Sequence, residues 1–373
     1  MIRTCRFVAA AAMLAAPLAT VCAQSSAVEL TVNDVGIGIG NVPKIYGIRL
    51  NFRDRDDFEV HGINATIWQP SGEPQGTVTG LALGLPMTGA ARITGIGAGI
   101  FGVSATDRIT GLGVGGIGLG AGGRLDGIMI GGIGVGAGGD VRGLTLGGIG
   151  VGAGGSLGGI SVGGIGVGSG GRVSGLAVGG IGVGAGGGAH GILIGGIGVG
   201  SGASLRGLSV GGIGVGGGGD VAGITIGGIG VGAGGSLHGL TVAGIGAGSG
   251  GDVTGLTIAG VGVGSGGTLR WVSLAGIGVG APRIEGFAAA AAVGAQDAKA
   301  VIIAPAYMRI DHGTFTGVSA SAVNHVKGSQ HGLTIGVFNY AHHLHGLQLG
   351  VLNYVRDNRA PFRLLPLLNV GHE

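Results

Sequence analysis

Apolar residues between positions 95 and 282 follow a pattern that repeats every 16 residues without a slip. Each row carries the consensus G-[LI]-x-[LIV]-[GA]-G-[IV]-G-V-G-[AS]-G-G-x-[LV]-x. Apolar positions lie two apart within parts of a row, as in strands, and three or four apart between those parts, as at corners. In the row that begins at Gly143, the predicted corners are Gly147–Gly148 and Gly154–Gly155, where glycine accepts a positive φ. The pattern therefore predicts an all-β, Gly-rich β-solenoid with about 16 residues per coil.

Eleven rows begin with glycine, from Gly95 to Gly255, and Trp271 takes that place in the twelfth. In the row from Gly143, the residues predicted to face inward are Leu144, Leu146, Ile149, Val151, Ala153 and Leu157. The isoleucines of successive rows, Ile149 and Ile197 among them, are predicted to form one buried column. The Ser/Thr column that includes Thr145 is predicted to face solvent. Mid-row glycines such as Gly150 are predicted to face a closely approached backbone.

The same spacing fits a second architecture, because residues on either side of a two-residue hairpin turn also lie three apart on one face. Each row would then be a β-hairpin, and the chain a β-hairpin meander or a β-barrel. Membrane barrels use strands of about 9 to 11 residues with aromatic girdles. Rows 111 to 270 contain no aromatic residue. The solenoid is therefore favoured, and the meander or barrel stays as the alternative.

The start of the chain has the pattern of a secretory signal peptide, predicted over residues 1–23. Arg3 and Arg6 precede an apolar run that ends near Ala23. Both cysteines of the chain lie within this segment. The mature chain is therefore predicted to contain no disulfide and no cysteine metal site, although it is exported.

Three further segments are predicted by changes in the regularity of the repeat. Residues 24–94 contain irregular repeats and an N-terminal cap, and residues 95–282 hold the regular rows. Residues 283–373 contain degenerate GLxxGVxN repeats and a C-terminal cap. Repeat arrays need such atypical ends, because a terminal coil has only one neighbour on which to bury its open face.

Composition narrows the class of function. Glycine supplies 98 of 373 residues, yet hydrophobic residues reach 45% and no G-X-Y triplet runs through the chain, which excludes both a disordered chain and collagen. The net charge is only +3, so no basic nucleic-acid surface is predicted. GxGxxG-like strings recur, but no helix follows them, so no nucleotide cofactor is expected. No carboxylate pair or Ser/His/Asp set recurs at fixed spacing, and the chain is predicted not to be an enzyme.

Histidine is concentrated near the C-terminus, where seven of the ten follow position 310. His331 and His345 each precede a row-starting glycine and could stack on adjacent turns, with His342 and His343 nearby. Imidazole is the commonest transition-metal ligand, so these four are weak candidates for a metal site. The main interpretation is that they are solvated edge residues, because the same position is polar in other rows.

Asparagine repeats in the same region at Asn324, Asn339 and Asn353. Each follows the first glycine of its unit by seven residues. A repeated asparagine at a corner can adopt left-handed backbone geometry and hydrogen-bond its neighbour along the stack. These three residues are therefore predicted to form a structural ladder.

Two units near the C-terminus, Gly332–Asn339 and Gly346–Asn353, resemble the G-[LV]-Q-[IL]-G-[LI]-x-N units of bacterial surface-repeat proteins. This group is largely uncharacterised and is often described as containing lipoproteins. Pro366–Asn369 is similar to the closing P-[IL]-[IL]-N of the group. The resemblance covers about 60 residues well and extends loosely to Ile45–Trp68. It implies a location at the cell surface and says nothing about an activity.

The sequence thus predicts a non-enzymatic, exported structural or surface repeat protein of the bacterial cell envelope, in the periplasm, outer membrane or cell surface. One alternative is an outer-membrane β-barrel or channel-like protein. The other is an exported repeat protein that binds a ligand or metal. Partners are expected among envelope or surface components, and membrane association stays open.

Overall fold

The computed structural model describes residues 27–55, 57–69 and 72–371. The predicted signal peptide lies outside these residues. The chain divides into two compact units, Met1–Gly180 and Ile181–Glu373, and this division falls inside the regular rows. The described residues form strands joined by short turns. Among them, no helix has the length and apolar character needed to cross a membrane.

The strands of the first unit are β1 (Ala27–Val32), β2 (Val35–Gly40), β3 (Lys44–Arg53), β4 (Glu59–Trp68), β5 (Thr77–Gly84), β6 (Met87–Gly99), β7 (Gly102–Gly115), β8 (Gly118–Ala121), β9 (Arg124–Gly131), β10 (Gly134–Ala137), β11 (Val141–Gly147), β12 (Gly150–Ala153), β13 (Leu157–Gly163), β14 (Gly166–Ser169) and β15 (Val173–Gly179). The strands of the second unit are β16 (Gly182–Ala185), β17 (Ala189–Gly195), β18 (Gly198–Ser201), β19 (Leu205–Gly211), β20 (Gly214–Gly217), β21 (Val221–Gly227), β22 (Gly230–Ala233), β23 (Leu237–Ala243), β24 (Gly246–Ser249), β25 (Val253–Ala259), β26 (Gly262–Ser265), β27 (Thr268–Ala275), β28 (Gly278–Ala289), β29 (Ala292–Ile310), β30 (Thr314–Val355) and β31 (Leu364–Val370).

Strands of the regular rows pair in parallel with the equivalent strand of the next row, 16 residues further along. In the first unit β11 pairs β13 with Val141 opposite Leu157, and in the second unit β21 pairs β23 with Val221 opposite Leu237. This register confirms the predicted β-solenoid. The hairpin-meander alternative is wrong, because it requires neighbouring strands to run antiparallel. The described antiparallel pairs are β1 with β2 and β31 with β30, at the two ends of the strand series.

Each regular coil bends three times. In the coil around Gly143, bends lie at Gly143 itself, where φ is +111°, at Gly148–Ile149, and at Gly154–Gly155. Gly143 must be glycine, because a Cβ there would clash with the carbonyl oxygen of Gly127 on the preceding coil. The predicted corners were therefore found, but the positive φ belongs to Gly143, in the middle of β11. The buried residues of this coil are Val141, Thr145, Gly147, Val151, Ala153 and Leu157.

Three of the six predicted inward residues, Val151, Ala153 and Leu157, are confirmed as buried. Leu144 and Leu146 are half-buried on the outer face of β11, so their inward assignment is wrong. Their orientation follows from alternation along the strand, since Val141 and Thr145 face inward and the residues between them and beyond alternate.

The predicted buried isoleucine column is also wrong: Ile149 is 48% exposed and Ile197 is 47% exposed. Both lie at convex bends, where the chain turns toward the coil axis and the side chain at the apex points away from it. Thr145, predicted to face solvent, is completely buried. A Cβ on Gly150 would lie 3.4 Å from the Gly166 carbonyl oxygen, an ordinary contact, so the close backbone approach predicted there is wrong as well.

The irregular coils before the regular rows contain a buried ion pair. The Arg49 guanidinium lies 2.5 Å from an Asp54 carboxylate oxygen and 3.1 Å from the Asn64 side-chain oxygen, and all three side chains are fully buried. Burial lowers the pKa of Arg49, while the Asp54 carboxylate opposes that shift. The pairing keeps both charges compensated inside the coil, where an unpaired charge would be strongly unfavourable.

Candidate functional site

The outer surface of the regular rows carries columns of large apolar side chains. The most regular of these is the outer isoleucine column, formed by the residue at the second bend of each coil. Its members are 42% to 62% exposed. In the first unit they are Ile117, Ile133, Ile149 and Ile165, and in the second unit they are Ile181, Ile197, Ile213, Ile229, Ile245, Val261 and Ile277. Soluble monomers rarely expose a continuous apolar patch larger than a few hundred Å², so a surface of this kind indicates a contact with another apolar surface.

Glycine follows each isoleucine of the column and leaves a depression beside it. In the first unit a shallow open groove of about 700 Å³ runs along this side and is lined by glycine columns that include Gly120, Gly136, Gly152 and Gly168. A Cβ on Gly152 would meet no atom within 4 Å. The equivalent Gly200 and Gly232 of the second unit are equally open. Each unit therefore presents a ridge of isoleucine next to a strip without side chains.

The charges of the regular rows lie along one edge, at the third bend. Asp140 accepts a hydrogen bond of 2.8 Å from the Ser156 backbone N–H of the next coil, and Asp220 accepts the equivalent bond from Ser236. The Ser156 amide, with help from Arg142, holds the pKa of the Asp140 carboxyl below its usual range. These carboxylates stabilise the stacking of coils, because a charge-assisted hydrogen bond is stronger than a neutral one.

The four histidines considered as metal ligands are arranged as two stacked pairs. The rings of His331 and His345 lie on adjacent coils with their centroids 4.7 Å apart. The rings of His342 and His343 lie 4.8 Å apart and nearly parallel. Asp357 joins the second pair, with a carboxylate oxygen 2.5 Å from His343 Nδ1 and the other 3.7 Å from His342 Nε2.

Asp357 was missed by sequence reasoning, because it lies beyond the last repeat unit and follows no periodic position. The contact depends on the turn after β30, which returns the chain to the coil before it. A histidine pair followed about one coil length later by a carboxylate was the only available signal. Within the described residues, His342, His343 and Asp357 are the group of three side chains whose ligand atoms approach one another closely enough to share a metal ion.

The predicted asparagine ladder is present inside the C-terminal coils. Asn324 donates a hydrogen bond of 2.7 Å to the Asn339 side-chain oxygen, and Asn339 donates one of the same length to Asn353. All three side chains are completely buried. The expected left-handed geometry is wrong, since these residues lie in the extended strand β30 and none has a positive φ. Their role is to fill the interior while satisfying one another's polar groups.

A second buried amide pair was not identified from the sequence. Gln348 donates a hydrogen bond of 3.0 Å to the Gln330 side-chain oxygen, and Gln330 in turn donates to the Leu347 carbonyl oxygen. The two glutamines occupy equivalent places on different coils, and their spacing of 18 residues departs from the 14 and 15 residues that separate the asparagines. That irregular spacing hid the pair from a search for a fixed period.

Next to the asparagine ladder lies a column of aromatic rings. The Tyr340 and Tyr354 rings stack with centroids 5.5 Å apart, and the His325 ring meets Tyr340 edge-on. His325 also shares a hydrogen bond of 2.8 Å with the Tyr307 hydroxyl, and burial lowers its pKa. The column extends the coil-to-coil contacts of the ladder and presents no group that is poised for chemistry.

No known protein family, curated protein or solved structure matches this chain. The candidate sites therefore consist of the outer isoleucine column with its groove and the cluster of His342, His343 and Asp357.

Proposed function

We propose that this chain is a non-enzymatic structural repeat protein, exported to the bacterial cell envelope, that assembles by packing its outer isoleucine column against a second copy of itself. The observation that carries the proposal is the exposure of this column, whose members, such as Ile197 and Ile229, are almost half exposed. An apolar column on the inside would only stabilise the fold. On the outside, the same column is available to a partner.

A second copy fits this face because the face is complementary to itself. The isoleucine ridge and the glycine strip lie side by side on each coil, and both repeat at about 4.8 Å, the spacing of hydrogen-bonded strands. A twofold axis between two copies would place the ridge of each over the strip of the other. Such an isologous contact uses the same patch twice and closes as a dimer.

Charge and area both permit this contact. The net charge of the chain is only +3, so long-range repulsion between copies is weak. In the second unit, seven coils of about 4.8 Å and a side of about six residues give a face of roughly 700 Å². Stable interfaces bury about 800 Å² per partner, which is close to this value.

The test compares two triple variants of the purified mature chain in detergent-free buffer. Ile197, Ile213 and Ile229 are replaced by serine in the first variant. The control replaces Leu208, Ile224 and Leu240 by serine, which removes similar side chains from another outer side of the same coils. We expect the wild type and the control to sediment as dimers and the first variant as a monomer with an unchanged melting temperature.

A monomeric wild type at about 100 µM would overturn the assembly proposal, since even weak specific complexes form at this concentration. Equal loss of association in both variants would show general apolar adhesion instead of a defined face. Recovery of the protein from the cytoplasm of the cells that produce it would overturn export, whatever the assembly result.

Contact with a lipid bilayer is the second candidate, because exposed apolar columns also favour insertion into acyl chains. Flotation with vesicles of phosphatidylcholine and phosphatidylglycerol separates the two. Binding that the Ile197, Ile213 and Ile229 replacements abolish, from a wild type that is monomeric in buffer, would favour the bilayer over the second copy.

A further inference from the structure

We propose that His342, His343 and Asp357 form a binding site for a divalent transition metal of the zinc type. The site is independent of the outer isoleucine column and goes beyond the structural function. Two imidazoles and one carboxylate are a ligand set that zinc accepts, with the remaining positions left for water. All three side chains are at least partly exposed, so an ion can reach them from solvent.

The orientation of His342 is fixed by the neighbouring coil. Its Nδ1 lies 3.4 Å from the Lys327 backbone carbonyl oxygen, which can only accept a hydrogen bond. Nδ1 therefore carries the proton in the neutral ring, and Nε2 presents its lone pair. Metal-binding histidines are commonly oriented in this way, by a carbonyl or carboxylate that receives the N–H of the other nitrogen.

The lone pair of His342 Nε2 faces a second acceptor, the Asp357 carboxylate oxygen, at 3.7 Å. Two acceptors at this distance repel each other unless a cation lies between them. Bonds of about 2.0 to 2.2 Å from zinc to nitrogen and oxygen place such ligand atoms roughly 3.3 Å apart. The site therefore needs to contract by only a few tenths of an ångström around an ion.

His343 completes the set from the other side of the carboxylate. Its Nδ1 lies 2.5 Å from the second Asp357 oxygen and donates a hydrogen bond to it. Coordination through this nitrogen displaces the proton to solvent, so one proton leaves for each ion that binds. The stacked ring planes, which differ by 7°, keep the two imidazoles directed toward the same side.

The nearest lysine does not compete for the carboxylate. The Lys327 ammonium lies 3.3 Å from Asp311, which also pairs with Arg309. Asp357 thus keeps its charge for the histidine pair. With two neutral imidazoles the site carries one negative charge, which favours a divalent cation.

The chain supplies its own control in His331 and His345, which stack as closely as His342 and His343 but are not part of the three-residue ligand group. Zinc chloride is titrated calorimetrically into the untagged mature chain at neutral pH, and into the variants His342→Asn, Asp357→Asn and His331→Asn/His345→Asn. Cobalt(II) absorption provides a second readout of the coordination sphere.

We expect one zinc ion per wild-type chain and at least about a tenfold loss of affinity in His342→Asn and Asp357→Asn. The His331→Asn/His345→Asn variant should bind within about twofold of the wild type. Far-UV circular dichroism verifies that each variant is folded, as replacements at exposed positions should allow. Absence of saturable binding by the folded wild type, or an equal loss in the control variant, would overturn the proposal.

Discussion

The regular rows of the second unit and its C-terminal coils fill their interiors in different ways. In the regular rows, the inside contains small side chains such as Val231 and Thr241, and the buried hydroxyl of Thr241 has no hydrogen-bond partner. In the C-terminal coils, the inside contains the amides of Asn324, Asn339 and Asn353, which bond one another along the stack. The two regions share parallel coils and differ in what holds one coil to the next.

The difference shows that volume, more than polarity, decides which residues enter a narrow coil. Isoleucine is more apolar than threonine, yet Ile229 is outside and Thr225 is inside. Glycine at the bends brings the backbone close to the axis, and the remaining space suits valine, alanine, serine and threonine. The hydroxyl column also accepts Leu193, which confirms that hydrogen bonding is not required at this position.

The largest effect is expected from a charge placed inside a regular coil. Val231→Asp should unfold the surrounding coils, because an unpaired buried carboxylate is destabilising by about 3 kcal/mol or more. Ile229→Asp is the matched control, two residues away on the outside, and should leave the melting temperature nearly unchanged. Thermal unfolding and limited proteolysis measure both. Greater damage from Ile229→Asp would reverse the assignment of inside and outside.

The sequence predicted the coil but not which residues face its interior. Periodicity without slips is sufficient for a solenoid, since identical rows stack with identical neighbours. The orientation of Ile149 and Thr145 could not be predicted, because it depends on where the backbone bends and on the space inside. The asparagine ladder could be predicted, since each amide can bond its own copy. Asp357 could not, because only the final turn brings it to His343.

Removing one rung of the asparagine ladder should have the second largest effect. Asn339→Leu leaves the Asn353 side-chain oxygen and the Leu349 carbonyl oxygen without their donor, and should destabilise the C-terminal coils by roughly 3 kcal/mol. Asn358→Leu, which removes an amide with two bonds of 3.3 Å nearer the surface, should have less than half this effect. Chemical denaturation measures both. Equal effects would mean that the ladder adds nothing beyond ordinary hydrogen bonds.

Glycine in the regular rows separates into essential and replaceable positions. A Cβ on Gly212 would lie 2.0 Å from the Gly196 carbonyl oxygen, so Gly212→Ala should destabilise the second unit by about 2 kcal/mol. A Cβ on Gly232 would meet nothing within 4 Å, and Gly232→Ala should be neutral or stabilising by up to about 1 kcal/mol. The two melting temperatures decide the matter, and a tolerated Gly212→Ala would show that the coils are less tightly stacked than described.

Thr241→Val tests whether the buried hydroxyl column is unfavourable. The Thr241 hydroxyl is buried without a partner, so its replacement by a methyl group should stabilise the chain by about 1 kcal/mol. Ser249→Ala is the control, because the Ser249 hydroxyl donates to the Gly235 carbonyl oxygen and accepts from the Gly251 N–H. That variant should be less stable than the wild type. Destabilisation by Thr241→Val would indicate that the hydroxyl has a role in the interior after all.

The smallest effect concerns the polar contacts of the regular rows, which lie on the edge instead of inside. The Ser156 amide lowers the pKa of Asp140 in the folded chain, so the charge of Asp140 stabilises the fold above the unfolded pKa near 3.8. This contribution disappears as the pH falls through the lower folded value. The wild type should therefore melt slightly above Asp140→Asn at pH 6, and the difference should vanish near pH 2.5. Asp126→Asn, which removes a carboxylate 3.9 Å from the Arg124 guanidinium, should change the melting temperature less, because exposed ion pairs contribute little. A difference between wild type and Asp140→Asn that persists unchanged at pH 2.5 would show that the charge of Asp140 does not stabilise the stacking of coils.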